Sequence, residues 1–288
     1  MRKISSSLIY IYYIVHARAE KVKKKTGERV DKITVKAYNE IEKKENVMEN
    51  YRKIDMHVHS SGMSLCSRVS VEEIVDCKKR LGYDGAVLVN HCQSWYYPKD
   101  EHKSFMEKLI KEYERGKAYA DRQNFLFLLG VEVTIVDPFY SDWLLYGGEK
   151  DAFLRSPCLY ELNQKQLFAF CEENDILLLQ AHCYRPNAAP NYDMRPADPA
   201  YMHGLEVNCD KRDVDNRERC HSFAEEHGKI LTCGTDYHHA NNEYRGGTYL
   251  PDWVKTNADL KKYLRGTDKT FYFMEEENGS IRIVKGRK

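Results

Sequence analysis

From residue 50 onward the chain switches repeatedly between two hydrophobic rhythms. Lys53 to His59 alternates as a half-buried strand does, ending in Ile54-Asp55-Met56-His57-Val58-His59-Ser60. Residues two apart on a strand face the same way, so His57 and His59 project together. Ser70-Val71-Glu72-Glu73 predicts a helix start, with Ser70 as N-cap and Glu73 completing a capping box. That helix runs to about Leu81 and stops at Gly82. Gly85 to Val89 is wholly apolar and of strand length, as in a strand buried on both faces, and ends at Asn90-His91. A charged helical segment from Asp100 to about Arg122 precedes a strand at Phe125 to Leu129, which ends in Gly130-Val131-Glu132.

The same alternation continues. Trp143 to Tyr146 is a short strand directly after Asp142, and Asn163 to Asn174 reads as a helix. Ile176 to Gln180 is a buried strand ending in Ala181-His182, and Gly204 to Asn208 is a weaker strand candidate. Asp213 to His227 is a helix stopped by Gly228, and Lys229 to Cys233 is a strand ending in Gly234-Thr235-Asp236-Tyr237-His238. Thr270 to Val284 predicts a hairpin around Asn278-Gly279. A repeated strand-helix order implies an α/β fold with a mostly parallel sheet, closed or nearly closed into a barrel. No Gly-x-Gly-x-x-Gly follows the first strand, which removes support for a dinucleotide fold.

Composition narrows the class. The chain has 288 residues, enough for one barrel-sized domain, and 31% charged residues mark an ordinary globular protein. A net charge of +1 gives no reason to expect a stable nucleic-acid complex or membrane binding. Nine cysteines, with no Cys-x-x-Cys pair, read as reduced thiols and a cytoplasmic location. Residues 1–49 read as an N-terminal extension: Leu8 to Val15 and Ala17-Arg18-Ala19 mimic a weak secretory signal, and a Lys- and Glu-rich stretch follows. Residues 50–288 are then a single domain.

Almost every apolar run ends in a metal-ligating residue type: His57 and His59, His91, Glu132, His182, then Asp236 and His238, with Asp142 just ahead of a short strand. In a βα barrel the carboxyl ends of the strands converge on one mouth, where active sites are built. Imidazoles and carboxylates crowded there need cations to offset them.

These residues resemble a known family. Asp55-Met56-His57-Val58-His59-Ser60-Ser61, Val89-Asn90-His91, Gly130-Val131-Glu132, Ala181-His182 and Gly234-Thr235-Asp236-Tyr237-His238 are similar, in order, to the motifs of the PHP (polymerase and histidinol phosphatase) domain. The resemblance implies a distorted (β/α)7 TIM-like barrel with two or three divalent metals at the C-terminal mouth of the strands. It also implies phosphoester hydrolysis by a metal-activated hydroxide. By that resemblance His57, His59, Glu132 and Asp236 hold one metal, and His91 and His238 a second. Glu132 also bridges to a third metal held by His182 and Asp142. Two departures stand out. Val89-Asn90-His91 replaces a Thr-Asp-His, and Ser64, Cys66 and Ser67 occupy a window where an Asp or His is usual; Cys66 offers a thiolate to zinc.

Mixed imidazole and carboxylate ligands suit Zn²⁺, Mn²⁺ or Fe²⁺ better than Mg²⁺ or Ca²⁺. The catalytic set is then His182, His238 and Asp236, with the choice of His182 or His238 as proton donor left open. Arg185, Arg212, Arg245 and Arg68 lie on loops expected at the mouth and are candidates for binding phosphate. Tyr184 and Trp95 are candidates for stacking on a ring. The expected partner is a small phosphorylated substrate or a short oligonucleotide. Two other functions fit parts of the pattern: an amidohydrolase, which also starts with His-x-His, and a non-catalytic metal- or phosphate-binding module.

Overall fold

The strand that carries the two histidines lies inside the sheet, with a neighbour on each side. The computed structural model describes residues 50–96, 101–186, 195–209, 216–242, 245–266, 270–275 and 281–285. Its strands are β1 (Tyr51–Val58), β2 (Gly85–Leu88), β3 (His91–Cys92), β4 (Leu126–Ile135), β5 (Ser141–Tyr146), β6 (Leu177–Gln180), β7 (Gly204–Asn208), β8 (Ile230–Gly234), β9 (Gly246–Pro251), β10 (Phe271–Glu275) and β11 (Ile281–Lys285). The helices are α1 (Val71–Arg80), α2 (His102–Arg122), α3 (Lys150–Arg155), α4 (Gln164–Glu173), α5 (Arg217–His227) and α6 (Asn257–Gly266). Both capping boxes that open α1 and α4 form, from Ser70 with Glu73 and from Asn163 with Gln166. The expected extension at residues 1–49 and the Asn278-Gly279 turn lie outside the described residues, although β10 and β11 pair antiparallel on either side of that turn.

The strands form one mixed sheet in the order β11-β10-β9-β1-β2-β4-β5-β6-β7-β8, with β3 beside β4. β1, β2 and β4 run parallel, as do β6, β7 and β8. The sheet is curled. Past β8, Tyr237 forms a parallel bridge with Val58, and His59 N–H donates to Tyr237 O at 3.0 Å. The end of the last parallel strand thus returns to the end of the first.

Two differences from the sequence expectation shape the sheet around the site. β5 runs antiparallel to both β4 and β6. Ile135 to Ser141 is too short for the crossover of roughly a dozen residues that a parallel neighbour needs, so the chain turns back in a hairpin. Asp142 thereby pairs with Thr134, two residues past Glu132, and reaches the same end of the sheet from the opposite chain direction. β9 was also unanticipated: Gly246, Gly247 and Pro251 are residues that weaken a strand pattern. Glycine is needed there: a Cβ on Gly247 would stand 2.3 Å from Ile54 O, so only a bare backbone can lie this close to β1.

Beneath the histidine strand sits a buried ion pair. Lys78 Nζ of α1 lies 2.6 Å from Asp55 Oδ2, with both side chains 0% exposed. Asp55 also accepts from Thr235 N at 3.0 Å, Thr235 Oγ1 at 2.6 Å and His57 N at 3.1 Å. Lys78 donates to Thr235 Oγ1 and stands 4.0 Å over the Tyr237 ring. One carboxylate therefore fixes the backbone of β1 and of the segment after β8. Removing one partner of a buried pair leaves the other charge unmatched, at about 3–5 kcal/mol. Lys78→Ala should lose stability on that scale in urea unfolding followed by circular dichroism; a loss below about 1 kcal/mol, as at exposed pairs, would contradict the clamp.

Candidate metal centre

Several separate strand ends deliver the site. β1 supplies His57 and His59, β3 His91, β4 Glu132, the turn after β6 His182, and the segment after β8 Asp236 and His238. His182 and Asp236 hold left-handed backbone, with φ of 24° and 53°, a strained state for residues with a Cβ. That bend aims their side chains into the cluster rather than along the chain. Three groups of ligand atoms result, each with all atoms within 4.8 Å: His57, Glu132 and His182; His57, His59 and Asp236; His59, His91 and His238. The groups adjoin, because His57 and His59 are each shared by two of them.

The hydrogen-bond partners decide which ring nitrogens face inward. His57 Nδ1 lies 2.8 Å from the Glu206 carboxylate, which only accepts, so Nδ1 carries the proton. His238 Nδ1 donates to the Asp236 carbonyl at 2.9 Å by the same logic. Ser64 Oγ donates to Asn90 Oδ1 at 2.9 Å, leaving its lone pairs to accept from His59 Nδ1 at 3.3 Å. The His57 and His59 rings thus turn Nε2 toward the interior, and His238 turns its Nε2 toward Cys66 Sγ at the edge of the cluster. His57 Nε2 and His59 Nε2 stand 2.9 Å apart, each 3.3 Å from Asp236 Oδ1. Both Glu132 oxygens are buried and receive no hydrogen bond, although imidazole nitrogens approach them. Converging lone pairs and an unsatisfied buried carboxylate are the donor set a divalent cation requires. The residues fit a metal centre.

Charge reinforces this. Burial alone would lower His57, but Glu206, Glu132 and Asp236 outweigh it and hold the imidazole well above its usual range. His91 is likewise raised against the effect of burial, chiefly by Glu132. Burial opposes ionisation of Glu132, yet His91 and His57 hold its carboxyl well below the usual carboxylate range. Burial and the Glu132 charge push Asp142 the other way, upward. Asp142 accepts from Thr134 Oγ1 at 2.7 Å and stands outside the three groups above.

The expected phosphate anchors divide. Arg185 is buried and its Nη1 pairs with Asp236 Oδ2, at the edge of the cluster. Arg68 and Arg245 are exposed, and Arg212 lies outside the described residues. Trp95 stacks on Tyr140 with centroids 5.6 Å apart, leaving 51% of its surface open. Tyr184 has one face covered by the Arg219 guanidinium at 3.9 Å. Glu206 was not anticipated, although a charge inside the apolar run Gly204-Leu205-Glu206-Val207 was the available signal. It is fully buried, orients His57, and accepts from Asn208 Nδ2 at 3.0 Å and from His182 N at 3.3 Å.

Solved structures share this architecture. A two-domain protein from Bacteroides vulgatus containing a predicted PHP-like metal-dependent phosphoesterase matches with a TM-score of 0.56 at 16% identity, over 79% of this chain and 66% of that one. PsfC from Pseudomonas syringae matches with a TM-score of 0.57 at 18% identity, over 80% of this chain and 94% of its own. The fold is PHP-like. This chain spans about two thirds of the two-domain protein. An amidohydrolase from Chromobacterium violaceum aligns at a TM-score of 0.48 and 14% identity, over 66% of this chain and 89% of that one. No family model and no curated protein matches the sequence.

Two outcomes follow for the centre of this PHP-like fold. Glu206→Gln keeps the shape but weakens the acceptor behind His57, and should lower metal affinity by roughly 10–100-fold in titration calorimetry. Unchanged affinity would remove Glu206 from the site. pH should act oppositely on the two forms. In the metal-free protein the raised His57 and His91 stabilise below their unfolded values, and that contribution is lost as pH rises through the folded ones. The metal-loaded protein should gain stability over the same interval, because protons no longer compete for the ligands. Melting curves with and without chelator test this, and parallel pH slopes would contradict it.

Proposed function

We propose that this chain is a metal-dependent hydrolase of phosphoesters, built on a distorted (β/α)7 TIM-like barrel with its site at the C-terminal mouth of the strands. The observation that carries the reading is the set of three adjoining ligand groups linked through His57 and His59. Adjoining groups suit neighbouring cations, the arrangement that serves in-line displacement at phosphorus. His57, His59, Glu132 and Asp236 would hold one ion, His91 and His238 a second, and His182 with Glu132 and Asp142 a third. Bound divalent ions would supply an activated water and offset charge on the phosphoryl oxygens.

The remaining work falls to the chain's own groups. Arg185 already faces an anion, Asp236. A phosphoryl oxygen entering beside that carboxylate meets a guanidinium held in place, which binds and orients it with little loss of side-chain freedom. Proton delivery to the leaving oxygen falls to His182 or His238, and the one that serves would give up its ion, because ligation and proton donation use the same ring nitrogen. Asp236 serves both ends of this arrangement, as a cation ligand and as the partner that fixes Arg185. The mouth carries exposed Trp95 beside Tyr140, which suits a substrate with a ring: a nucleotide, another small phosphorylated ring compound or a short oligonucleotide.

Purified protein reloaded with Mn²⁺ or Zn²⁺ should release phosphate from at least one member of a panel of phosphomonoesters, nucleoside bisphosphates and short RNA. Turnover should vanish with chelator and in His57→Ala. Arg185→Ala should raise KM more than it lowers kcat. A metal-loaded protein that turns over none of these substrates, or turnover surviving in His57→Ala, would overturn the reading.

A further inference from the structure

The two places where the sequence departs from the PHP motifs are one structural unit. Asn90 Oδ1 accepts from Ser60 N at 2.8 Å and from Ser64 Oγ at 2.9 Å, while Asn90 Nδ2 donates to Ser60 Oγ at 2.9 Å. Ser64 Oγ in turn accepts from His91 N at 3.1 Å. Asn90 is buried, and its side-chain amide bonds to Ser60 and Ser64 of the Ser60–Ser67 loop. The loop's other end is fastened as well: Ser67 Oγ donates to His59 O at 2.8 Å, and Arg68 N donates to His238 O at 2.8 Å. Ser64 N and Ser67 N close turns inside it, on Ser60 O and Ser64 O.

That loop presents Cys66 to the third ligand group. Cys66 Sγ lies 3.0 Å from His238 Nε2, the ring nitrogen left without a proton by the bond from Nδ1 to Asp236 O. Tyr96 OH donates to the same sulfur at 3.3 Å and its ring meets His91 edge-on at 5.7 Å. His91 and His238 flank His59, each ring stacked on it with centroids 4.3 Å apart. Behind them stand the buried Glu132 oxygens that receive no hydrogen bond. On a tetrahedral zinc with bonds of about 2.3 Å to sulfur and about 2.0 Å to nitrogen, the two atoms sit roughly 3.5 Å apart. A movement of about half an ångström therefore takes the pair from direct contact to joint ligation.

We propose that Cys66 is the thiolate ligand of a cation site shared with His91 and His238, and that it makes this site selective for zinc-like ions over manganese and magnesium. Thiolate with two imidazoles is a soft donor set, matched to Zn²⁺ or Co²⁺, whereas Mn²⁺ and Mg²⁺ favour oxygen. The assignment rests on the metal-centre reading above and adds to it a ligand and a metal class.

Cobalt substitution of the full chain tests it without turnover. The probe is Co²⁺ alone, added to metal-stripped protein and followed by absorption spectroscopy and by elemental analysis of bound cobalt. The wild type should show a thiolate-to-cobalt charge-transfer band. Cys66→Ser should lose that band and one bound ion per chain, while Cys158→Ser should keep both. Cys66→His, which restores an imidazole, should recover the ion without the band. An unchanged band in Cys66→Ser, or full cobalt loading of the wild type with no band, would overturn the assignment. A wild type with the band that hydrolyses no phosphoester would sink the proposed reaction and leave the ligand standing. Phosphoester turnover with identical spectra in wild type and Cys66→Ser would do the reverse.

Discussion

Five imidazoles and two carboxylates from strands well separated in the sheet order share one largely buried space, with their lone pairs directed at each other. Such a cluster cannot be held by its own attractions. The imidazoles that gain protons attract Glu132 and Asp236 but repel one another: His91 and His238 join burial in holding His59 well below its usual range. A cation accepts from every member at once, and the remaining architecture keeps the members in place for it. Water cannot substitute at so many points in a site whose ligands are nearly all buried.

Three supports do that holding, and each reaches beneath the cluster. Asp55 with Lys78 fixes the backbones of β1 and of the segment carrying Asp236. Glu206 sets the ring of His57 and accepts the backbone N–H of His182. Asn90 and Ser64 set the ring of His59 and the loop bearing Cys66. Each support joins two segments distant in sequence, so the site's geometry is tied to closure of the sheet. A buried polar network of this kind rigidifies when complete and is costly when one member is missing.

Much of this was legible from the residues. Strand ends show because a buried parallel strand is an unbroken apolar run and its last residues change abruptly to His, Asp or Glu. Helix α1 announces itself through its capping box, while the box from Asn163 and Gln166 that opens α4 emerges only from the structure. The direction of β5 was not legible in its own composition, since Trp143 to Tyr146 suits either direction; the length of the preceding connection decides it. Glu206 and Lys78 were missed for a common reason: their roles depend on partners 149 and 23 positions away (206 − 57 and 78 − 55). Asn90 read as a lost carboxylate because the PHP motifs that the chain resembles have Thr-Asp-His there, whereas its amide turns to Ser60 and Ser64.

The central claim is that the three ligand groups hold divalent cations. Anomalous X-ray diffraction from crystals of the full chain, recorded on either side of the zinc and manganese absorption edges after soaking in each ion, tests it most directly. The account predicts anomalous peaks bounded by His57, His59 and Asp236, with further peaks at the groups containing His182 and His91. Anomalous density confined to the protein surface, with the Nε2 atoms of His57 and His59 still in direct contact, would contradict it.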